Sequence, residues 1–188
     1  MENGVVIKDG HTLMKRLNEI CFTTGEPEHW KDMTIHHAIA QYIFRGVEDA
    51  IGVDPGKNYG ISVISGGILW VYWGKLPQMN APDYHEYLCN WLTAWFSPDF
   101  KAKVCAIEGS AFGTIYGREL LEDIRLGFYS AFMELGRVVS YVPPLTARKQ
   151  IFGSGKIKGN EVWLDINPNG ADSIPLALYA GGYQYKED

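Results

Sequence analysis

The pattern of apolar and polar positions divides the chain into a helical N-terminal part and a longer part in which strands and helices alternate. Apolar side chains recur at helical spacing over residues 12–22 and 35–49, which predicts two short helices. From residue 50 onward, β-branched and aromatic runs separated by glycine-containing turns predict three consecutive strands. We therefore divide the chain into an N-terminal helical extension, residues 1–49, and one α/β domain, residues 50–188.

The rest of the domain alternates helix and strand. Helical periodicity predicts helices over residues 82–96 and 114–135, and short apolar runs predict strands over 103–107 and 138–142. Three final helices are predicted over residues 145–152, 161–166 and 173–179. Strands that alternate with helices usually pair in parallel through right-handed crossovers, so the fold class is α/β.

Composition narrows the class of protein. The 188 residues are 46% apolar and 21% charged, as in a globular domain, and no apolar run approaches the ~20 residues that a bilayer helix needs. Since the N-terminus has no secretory leader, the expected compartment is the cytoplasm, or the host cytoplasm for a viral chain, with no membrane partner. The three cysteines, Cys21, Cys89 and Cys105, form no C-x-x-C pair and predict buried thiols, not a disulfide framework or a structural zinc site.

The net charge of −5 counts against a nucleic-acid partner when it is considered alone. The charge is unevenly distributed, however, because residues 141–160 contain Arg148, Lys149, Lys156 and Lys158 and no acid. Phosphate groups are bound by clustered Lys and Arg side chains, so this segment is a candidate phosphate-binding surface. The alternative is a solvated helix and loop that bind no ligand.

Two acids end apolar strands, where a lone carboxylate is costly to bury. Asp54 ends the first strand of the domain and Glu108 ends the fourth, and the carboxyl ends of neighbouring parallel strands face one crevice. Asp172 precedes an apolar C-terminal helix that can pack against the same edge. Three converging oxygen donors favour Mg²⁺ or Mn²⁺ in a two-metal phosphodiester site. A simpler interpretation of Asp54, which precedes Pro55 and Gly56, is a turn residue.

Several motifs together resemble the RuvC family of Holliday-junction resolvases, which have an RNase H-like fold. The motifs are Asp54-Pro55-Gly56 before Tyr59-Gly60-Ile61, Ile107-Glu108, a long helix with Gly127, Gly153-Ser154-Gly155-Lys156, and Ala171-Asp172-Ser173 before Leu176-Ala177-Leu178. The resemblance covers roughly residues 52–181 and implies a mixed five-stranded sheet flanked by helices. It also implies a homodimer that resolves four-way DNA junctions by paired symmetric nicks, with two Mg²⁺ or Mn²⁺ ions per site and 5′-phosphate and 3′-hydroxyl products.

By this resemblance the metal ligands and catalytic residues would be Asp54, Glu108 and Asp172, with Asn169 at a position where the family usually has a further Asp. An Asn ligates through its carbonyl oxygen but lacks the negative charge, so divalent binding should be weaker. This difference leaves open a junction-binding protein with impaired catalysis. A phosphotransferase with an actin-like fold is a further alternative, since its first strand also ends in Asp and Gly before a hairpin. Asp165 is a spare acid that could replace Asn169.

Pro175 bears on the position of Asn169. A proline is tolerated in the first helical turn but not further in. We therefore expect the last helix to begin near Asp172 and Asn169 to lie in the preceding loop.

The residues expected to contact DNA are basic side chains, one serine and one aromatic residue. They are Lys57, Phe112, Arg148, Lys149, Ser154, Lys156 and Lys158. Lys and Arg neutralise phosphates, and backbone N–H groups around Ser154 can approach a strand closely. Phe112 could wedge into the junction centre, with core packing as its alternative role. Residues 1–49 are expected to cap the domain, or else to form a dimer contact or a DNA-binding arm.

Overall fold

The computed structural model describes residues 35–40, 47–66, 68–80, 83–96, 101–109, 118–163 and 166–183. The strands are β1 (Ile35–Ala40), β2 (Ala50–Asp54), β3 (Asn58–Ser65), β4 (Ile68–Lys75), β5 (Val104–Glu108) and β6 (Val138–Val142). The helices are α1 (Asp83–Trp95), α2 (Arg118–Glu134), α3 (Pro144–Phe152), α4 (Gly159–Val162) and α5 (Pro168–Ala180). None of these helices has the length and apolar character needed to cross a membrane.

The six strands form one mixed sheet in the order β1-β4-β3-β2-β5-β6. The pairs β1–β4, β4–β3 and β3–β2 are antiparallel. The pairs β2–β5 and β5–β6 are parallel. The turn between β3 and β4 contains Gly66 at a φ of +61°, a conformation that glycine adopts without strain. The predicted hairpin and the predicted parallel pairing are thus confirmed.

The N-terminal part differs from the prediction. The helix predicted over residues 35–49 is wrong, because residues 35–40 form β1, which pairs with β4 from Ile35 opposite Gly74 to Ala40 opposite Leu69. The edge of β4 offers backbone hydrogen-bond partners, and pairing with it overrides the helical spacing of a short segment. The five predicted strands are present, and β1 adds a sixth at the edge of the sheet. The helix predicted over residues 12–22 lies outside the described residues.

The helices cover both faces of the sheet. On one face, α1 and α2 pack large side chains against β2, β3 and β5, in a core that includes Ile51, Ile61, Phe128 and Phe132. On the other face, α3, α4 and α5 enclose a second apolar core. Side chains alternate along a strand, so even-numbered residues of β2, β3 and β5 face α5.

Helix α5 packs closely on the sheet because two strand positions beneath it are glycine. A Cβ at Gly52 would overlap the backbone of Ser173, and a Cβ at Gly60 would overlap the carbonyl group of Asn169. The buried hydroxyl groups of Ser62 and Ser173 are hydrogen-bonded to each other at 2.6 Å. Backbone contact and a polar side-chain pair therefore fix the position of α5.

Helix α5 begins earlier than predicted. It starts directly after Asn167, whose side chain accepts a hydrogen bond from the Asn169 backbone at 3.1 Å, so Asn169 lies in the helix and not in the preceding loop. An Asn cap followed by a proline is an ordinary helix start, and Pro175 is tolerated further inside. A proline cannot donate to the carbonyl of Ala171 one turn earlier. Gly159 of α4 packs directly against that carbonyl.

The other predicted helices are confirmed, with one shift. Helices α1, α2 and α3 lie within the predicted ranges to within one residue, as far as those ranges are described. The helix predicted over residues 161–166 is displaced, since α4 ends at Val162 and Trp163 is its C-terminal cap. Trp163 and Ile166 lie outside any helix, and their side chains are buried in the second core.

Candidate active site

Asp54 and Glu108 are the last residues of two adjacent parallel strands. Strands β2 and β5 are paired with Val53 opposite Ile107, so the two acids follow at the same edge of the sheet. Both acids occupy even-numbered positions, which face α5 in these strands. The two carboxyl groups therefore lie on one side of the sheet and at one edge.

Helix α5 brings Asp172 to this edge. The carboxylate of Asp172 accepts a hydrogen bond from the backbone N–H of Asn160 at 3.3 Å. The next residue, Ser173, donates to the Gly170 carbonyl at 2.7 Å and is hydrogen-bonded to Ser62 of β3. This turn of the helix is thus fixed to the sheet beside the strand-end acids.

The three carboxyl groups repel one another in a largely buried setting. Burial raises the pKa of Asp54 well above its usual range, and the charges of Glu108 and Asp172 raise it further. Burial also raises the pKa of Glu108, and the charge of Asp172 adds to this rise. The positive charges of Arg148 and Arg125 lower both pKa values without cancelling the rise. A divalent cation would offset the remaining repulsion, so the electrostatics suit a metal site.

The three acids are spaced too widely in this structure to ligate a single ion together. Among the described residues, one trio of His, Cys, Asp or Glu has ligand atoms that all lie within 4.8 Å of one another, and it is not this one. Two ions about 3.5–4 Å apart, each with ligand oxygens at about 2.1 Å, can be held by carboxylates spread more widely. Hard oxygen donors are those that Mg²⁺ and Mn²⁺ prefer. The donor set therefore fits the metals that the resemblance implies.

Asn169 lies in the first turn of α5, one helical turn before Asp172. Its side-chain nitrogen donates to the Asn167 side chain at 3.2 Å, and its backbone N–H donates to the same oxygen at 3.1 Å. In this orientation only the amide oxygen of Asn169 could ligate a cation. Asn169 thus helps to cap the N-terminus of α5 through its hydrogen bonds to Asn167. Its role as a metal ligand stays a prediction.

Two arginines compensate the acids, and only one of them was predicted as a site residue. Arg148 of α3, predicted to contact DNA, interacts electrostatically with Asp54 and Glu108. Arg125 of α2 is only 5% exposed, and its guanidinium donates to the backbone carbonyls of Glu108 at 3.0 Å and Gly109 at 3.2 Å. Sequence analysis missed Arg125, although a lone arginine on the buried face of an amphipathic helix is a signal that could have found it.

The other predicted DNA-binding residues lie directly before β3, within α3, and between α3 and α4. The exposed members of this set are Lys57, Lys149, Lys156 and Lys158. The hydroxyl of Ser154 accepts a hydrogen bond from the backbone N–H of Lys156 at 3.3 Å. Gly153 ends α3 in the left-handed conformation, with a φ of +70°, and turns the chain into this loop. Phe112 and Asp165 lie outside the described residues.

The sequence matches no protein-family model, and no curated protein matches it. Solved structures of RuvC are similar. A Thermus thermophilus RuvC structure is 20% identical, with a TM-score of 0.50, and the match covers 69% of this chain and 91% of that one. T. thermophilus RuvC in complex with a Holliday junction substrate is 16% identical, with a TM-score of 0.52, and the match covers 70% of this chain and 90% of that one.

At this level of identity the likeness concerns the fold. The shared feature is a mixed sheet flanked by helices. This chain therefore has the RNase H-like fold of RuvC, as its sequence motifs predicted.

Proposed function

We propose that this protein is a metal-dependent, structure-selective endonuclease that resolves four-way DNA junctions by paired symmetric nicks. The observation that carries the proposal is the position of Asp54 and Glu108 at the adjacent ends of the parallel strands β2 and β5, beside the helix that carries Asp172. Such a cluster costs stability, and divalent-ion hydrolysis of phosphodiesters is a chemistry that requires it. The solved complex of RuvC with a Holliday junction substrate supports the choice of substrate.

Asp54, Glu108 and Asp172 would hold two Mg²⁺ or Mn²⁺ ions, with the amide oxygen of Asn169 as a neutral fourth ligand. When bound, the metal would lower the pKa of the attacking water and stabilise the leaving 3′ oxygen, which gives 5′-phosphate and 3′-hydroxyl ends. Arg125 would position Glu108 by holding the carbonyls at the end of β5. Arg148 would balance part of the negative charge of the carboxylates.

The surface proposed to bind DNA consists of Lys57 and the basic segment from Arg148 to Lys158, with Phe112 as an inserted side chain. The exposed lysines would neutralise phosphates, and the loop that follows Gly153 would present Ser154 and backbone N–H groups to a strand. Lys156→Gln should weaken binding of all DNA forms equally and lower the slope of log affinity against log salt by about 0.9. An unchanged slope would remove Lys156 from this surface.

We also propose that the protein acts as a homodimer, since each copy would nick one of two opposed strands. A patch of exposed apolar side chains at the β6 edge supports a second copy as the partner. Its members, with their exposed fractions, are Leu126 (53%) and Met133 (47%) of α2 and Val138 (69%) and Tyr141 (47%) of β6. Exposed apolar patches of this kind mark interaction surfaces. Sedimentation should show a dimer that Leu126→Glu dissociates and that Leu145→Glu, which changes an exposed residue of α3, leaves intact.

One assay tests the proposed activity directly. A labelled four-way junction, a fork and a linear duplex are incubated with the protein in Mg²⁺, in Mn²⁺ and in EDTA. We expect paired nicks in the junction alone, present with either cation and absent in EDTA, while junction binding persists without metal. Metal-independent cleavage, or equal cleavage of linear duplex, would refute the proposal.

A junction-binding protein with impaired catalysis is the second candidate, and Asn169 favours it because the position offers no negative charge. Asn169→Asp distinguishes the two functions in the same assay. If the natural chain binds the junction without nicking it and Asn169→Asp restores nicking, the second candidate is correct. If the natural chain nicks and Asn169→Asp changes the rate little, the first is correct.

A further inference from the structure

Three metal-ligating side chains meet on the α1–α2 face of the sheet, away from the acids. His85 and Cys89 lie one helical turn apart on α1, and Glu134 is the last residue of α2. Their ligand atoms, an imidazole nitrogen, a sulfur and a carboxylate oxygen, all lie within 4.8 Å of one another. We refer to these residues as the His–Cys–Glu trio.

The spacing within the trio matches a shared tetrahedral ion. A Zn–S bond of about 2.3 Å and a Zn–N bond of about 2.0–2.1 Å at the tetrahedral angle separate sulfur and nitrogen by about 3.6 Å. In the structure, Sγ of Cys89 and Nε2 of His85 are 3.9 Å apart. Residues one turn apart share a helix face, so this pair can ligate one ion without a change of backbone.

Packing between α1 and α2 fixes the third ligand. A Cβ added at Gly127 would lie 3.2 Å from the carbonyl oxygen of Tyr84 and 3.5 Å from Cα of His85, so the two helices are in close contact there. Apolar side chains of both helices share one buried core. Glu134 follows about two turns after Gly127, and its carboxylate lies within 4.8 Å of the Cys89 sulfur. The core thus holds the trio in place before any ion binds.

We propose that the His–Cys–Glu trio binds Zn²⁺, with water as the fourth ligand. A sulfur, an imidazole and one carboxylate suit zinc and similar ions, whereas Mg²⁺ and Mn²⁺ prefer oxygen ligands alone. His85 and Glu134 are exposed and Cys89 is 8% exposed, so an ion can enter from solvent and keep one open position. The bound ion would join the N-terminal half of α1 to the C-terminal end of α2.

The zinc site is separate from the acids. Arg125 of α2 contacts the carbonyl of Glu108, and Glu134 lies about 14 Å further along the same helix at 1.5 Å per residue. The two sites also differ in their donor atoms, so each can be titrated with a metal that the other binds poorly. Sequence analysis found no zinc motif because one ligand comes from a second helix.

Cobalt titration of the full chain in excess Mg²⁺ tests this proposal. Mg²⁺ occupies oxygen sites, whereas Co²⁺ bound to a thiolate gives a charge-transfer band in the near ultraviolet. We expect a single equivalent of Co²⁺ to produce the band and Zn²⁺ to remove it by displacement. Zn²⁺ at about 100 times its Kd should also raise Tm by about 5–10 °C in the same Mg²⁺ background.

Variants distinguish the trio from other metal-binding groups. Cys89→Ser should abolish the cobalt band, and His85→Gln, which changes an exposed residue, should weaken Zn²⁺ binding by at least about 10-fold. Glu86→Gln removes an exposed acid from the same helix and should change neither readout. Absence of the band in the natural chain, or its persistence in Cys89→Ser, would overturn the proposal. Nicking in Mg²⁺ does not depend on the trio, so neither result bears on the proposed nuclease activity.

Discussion

The two faces of the sheet are packed in different ways. The α1–α2 face contributes mainly to the stability of the fold, whereas the α5 face positions the acids of the proposed active site. On the α1–α2 face, large buried side chains such as Phe128 and Phe132 fill the space between helix and strand. On the α5 face, Gly52 and Gly60 bring strand backbone against helix backbone. Backbone contact leaves little freedom for the helix to move, so an acid on α5 is held in a fixed position relative to the sheet.

The largest expected effect falls on the α5 face. Asp54→Asn removes the charge of one proposed metal ligand and should lower junction nicking by at least about 10²- to 10³-fold. Without metal the variant should be more stable than the natural chain, because a buried carboxylate that is repelled by its neighbours is gone. Nicking assays and thermal unfolding in EDTA measure the two effects. Asp83→Asn, at the start of α1, is the control and should leave nicking unchanged. If Asp54→Asn retained nicking, Asp54 would not be a metal ligand.

The second prediction contrasts one position on each face. Phe128→Ala should lower the free energy of unfolding by about 3–5 kcal/mol, because it leaves a cavity in the α1–α2 core. Gly60→Ala should cost less, about 1–3 kcal/mol, but it forces α5 away from β3 and should reduce nicking at temperatures where the variant is folded. Urea unfolding and nicking assays give both quantities. Wild-type nicking by Gly60→Ala would show that close approach of α5 does not position Asp172.

The third prediction concerns Arg125, which joins α2 to the end of β5. Arg125→Gln should lower nicking by about 10- to 100-fold while junction affinity stays the same, because it frees the strand-end carbonyls and not a DNA contact. Arg125→Lys keeps the charge but loses the forked donor and should be impaired nearly as much. Full activity of Arg125→Lys would mean that only the charge of Arg125 matters.

The smallest expected effect is on the pH dependence of stability without metal. The pKa of Asp54 is higher in the folded chain than its ordinary value of 3.8, so the folded state holds its proton more tightly. The resulting stabilisation is complete below the unfolded-state pKa and is lost as pH rises through the folded-state pKa. In EDTA, the free energy of unfolding of the natural chain should therefore fall as the pH rises above 4. The fall should be smaller in Asp54→Asn, whereas Phe128→Ala should show the same pH dependence as the natural chain. An identical decline in Asp54→Asn would contradict the assigned cause.

Features encoded by adjacent residues were predicted well from the sequence. The strand runs that end in Asp54 and Glu108 are local patterns, and the alternation of strand and helix correctly indicated parallel pairing of β2, β5 and β6. The resemblance to RuvC gave the fold, which the solved structures support. The chemical roles of the acids remain predictions that the nicking assay must test.

Features that depend on distant partners were missed. Strand β1 exists because β4 offers it an edge, and nothing within residues 35–40 distinguishes that outcome from a helix. The start of α5 was misplaced because the prediction rested on Pro175 and overlooked Asn167 as a helix cap. Arg125 and the His–Cys–Glu trio were overlooked because their partners lie on other elements. Local sequence patterns carry no information about such long-range contacts.

The glycines beneath α5 should also determine which substitutions the chain survives. In a saturation library selected for folded protein, replacements at Gly52 and Gly60 should be depleted, alanine the least, because any added side chain would overlap helix backbone. Gly66 has no atom near its missing Cβ, so asparagine, which adopts a φ of +61° more readily than other residues, should pass the same selection. The depletion of variants at these sites would thus map the contact between α5 and the sheet without a structure.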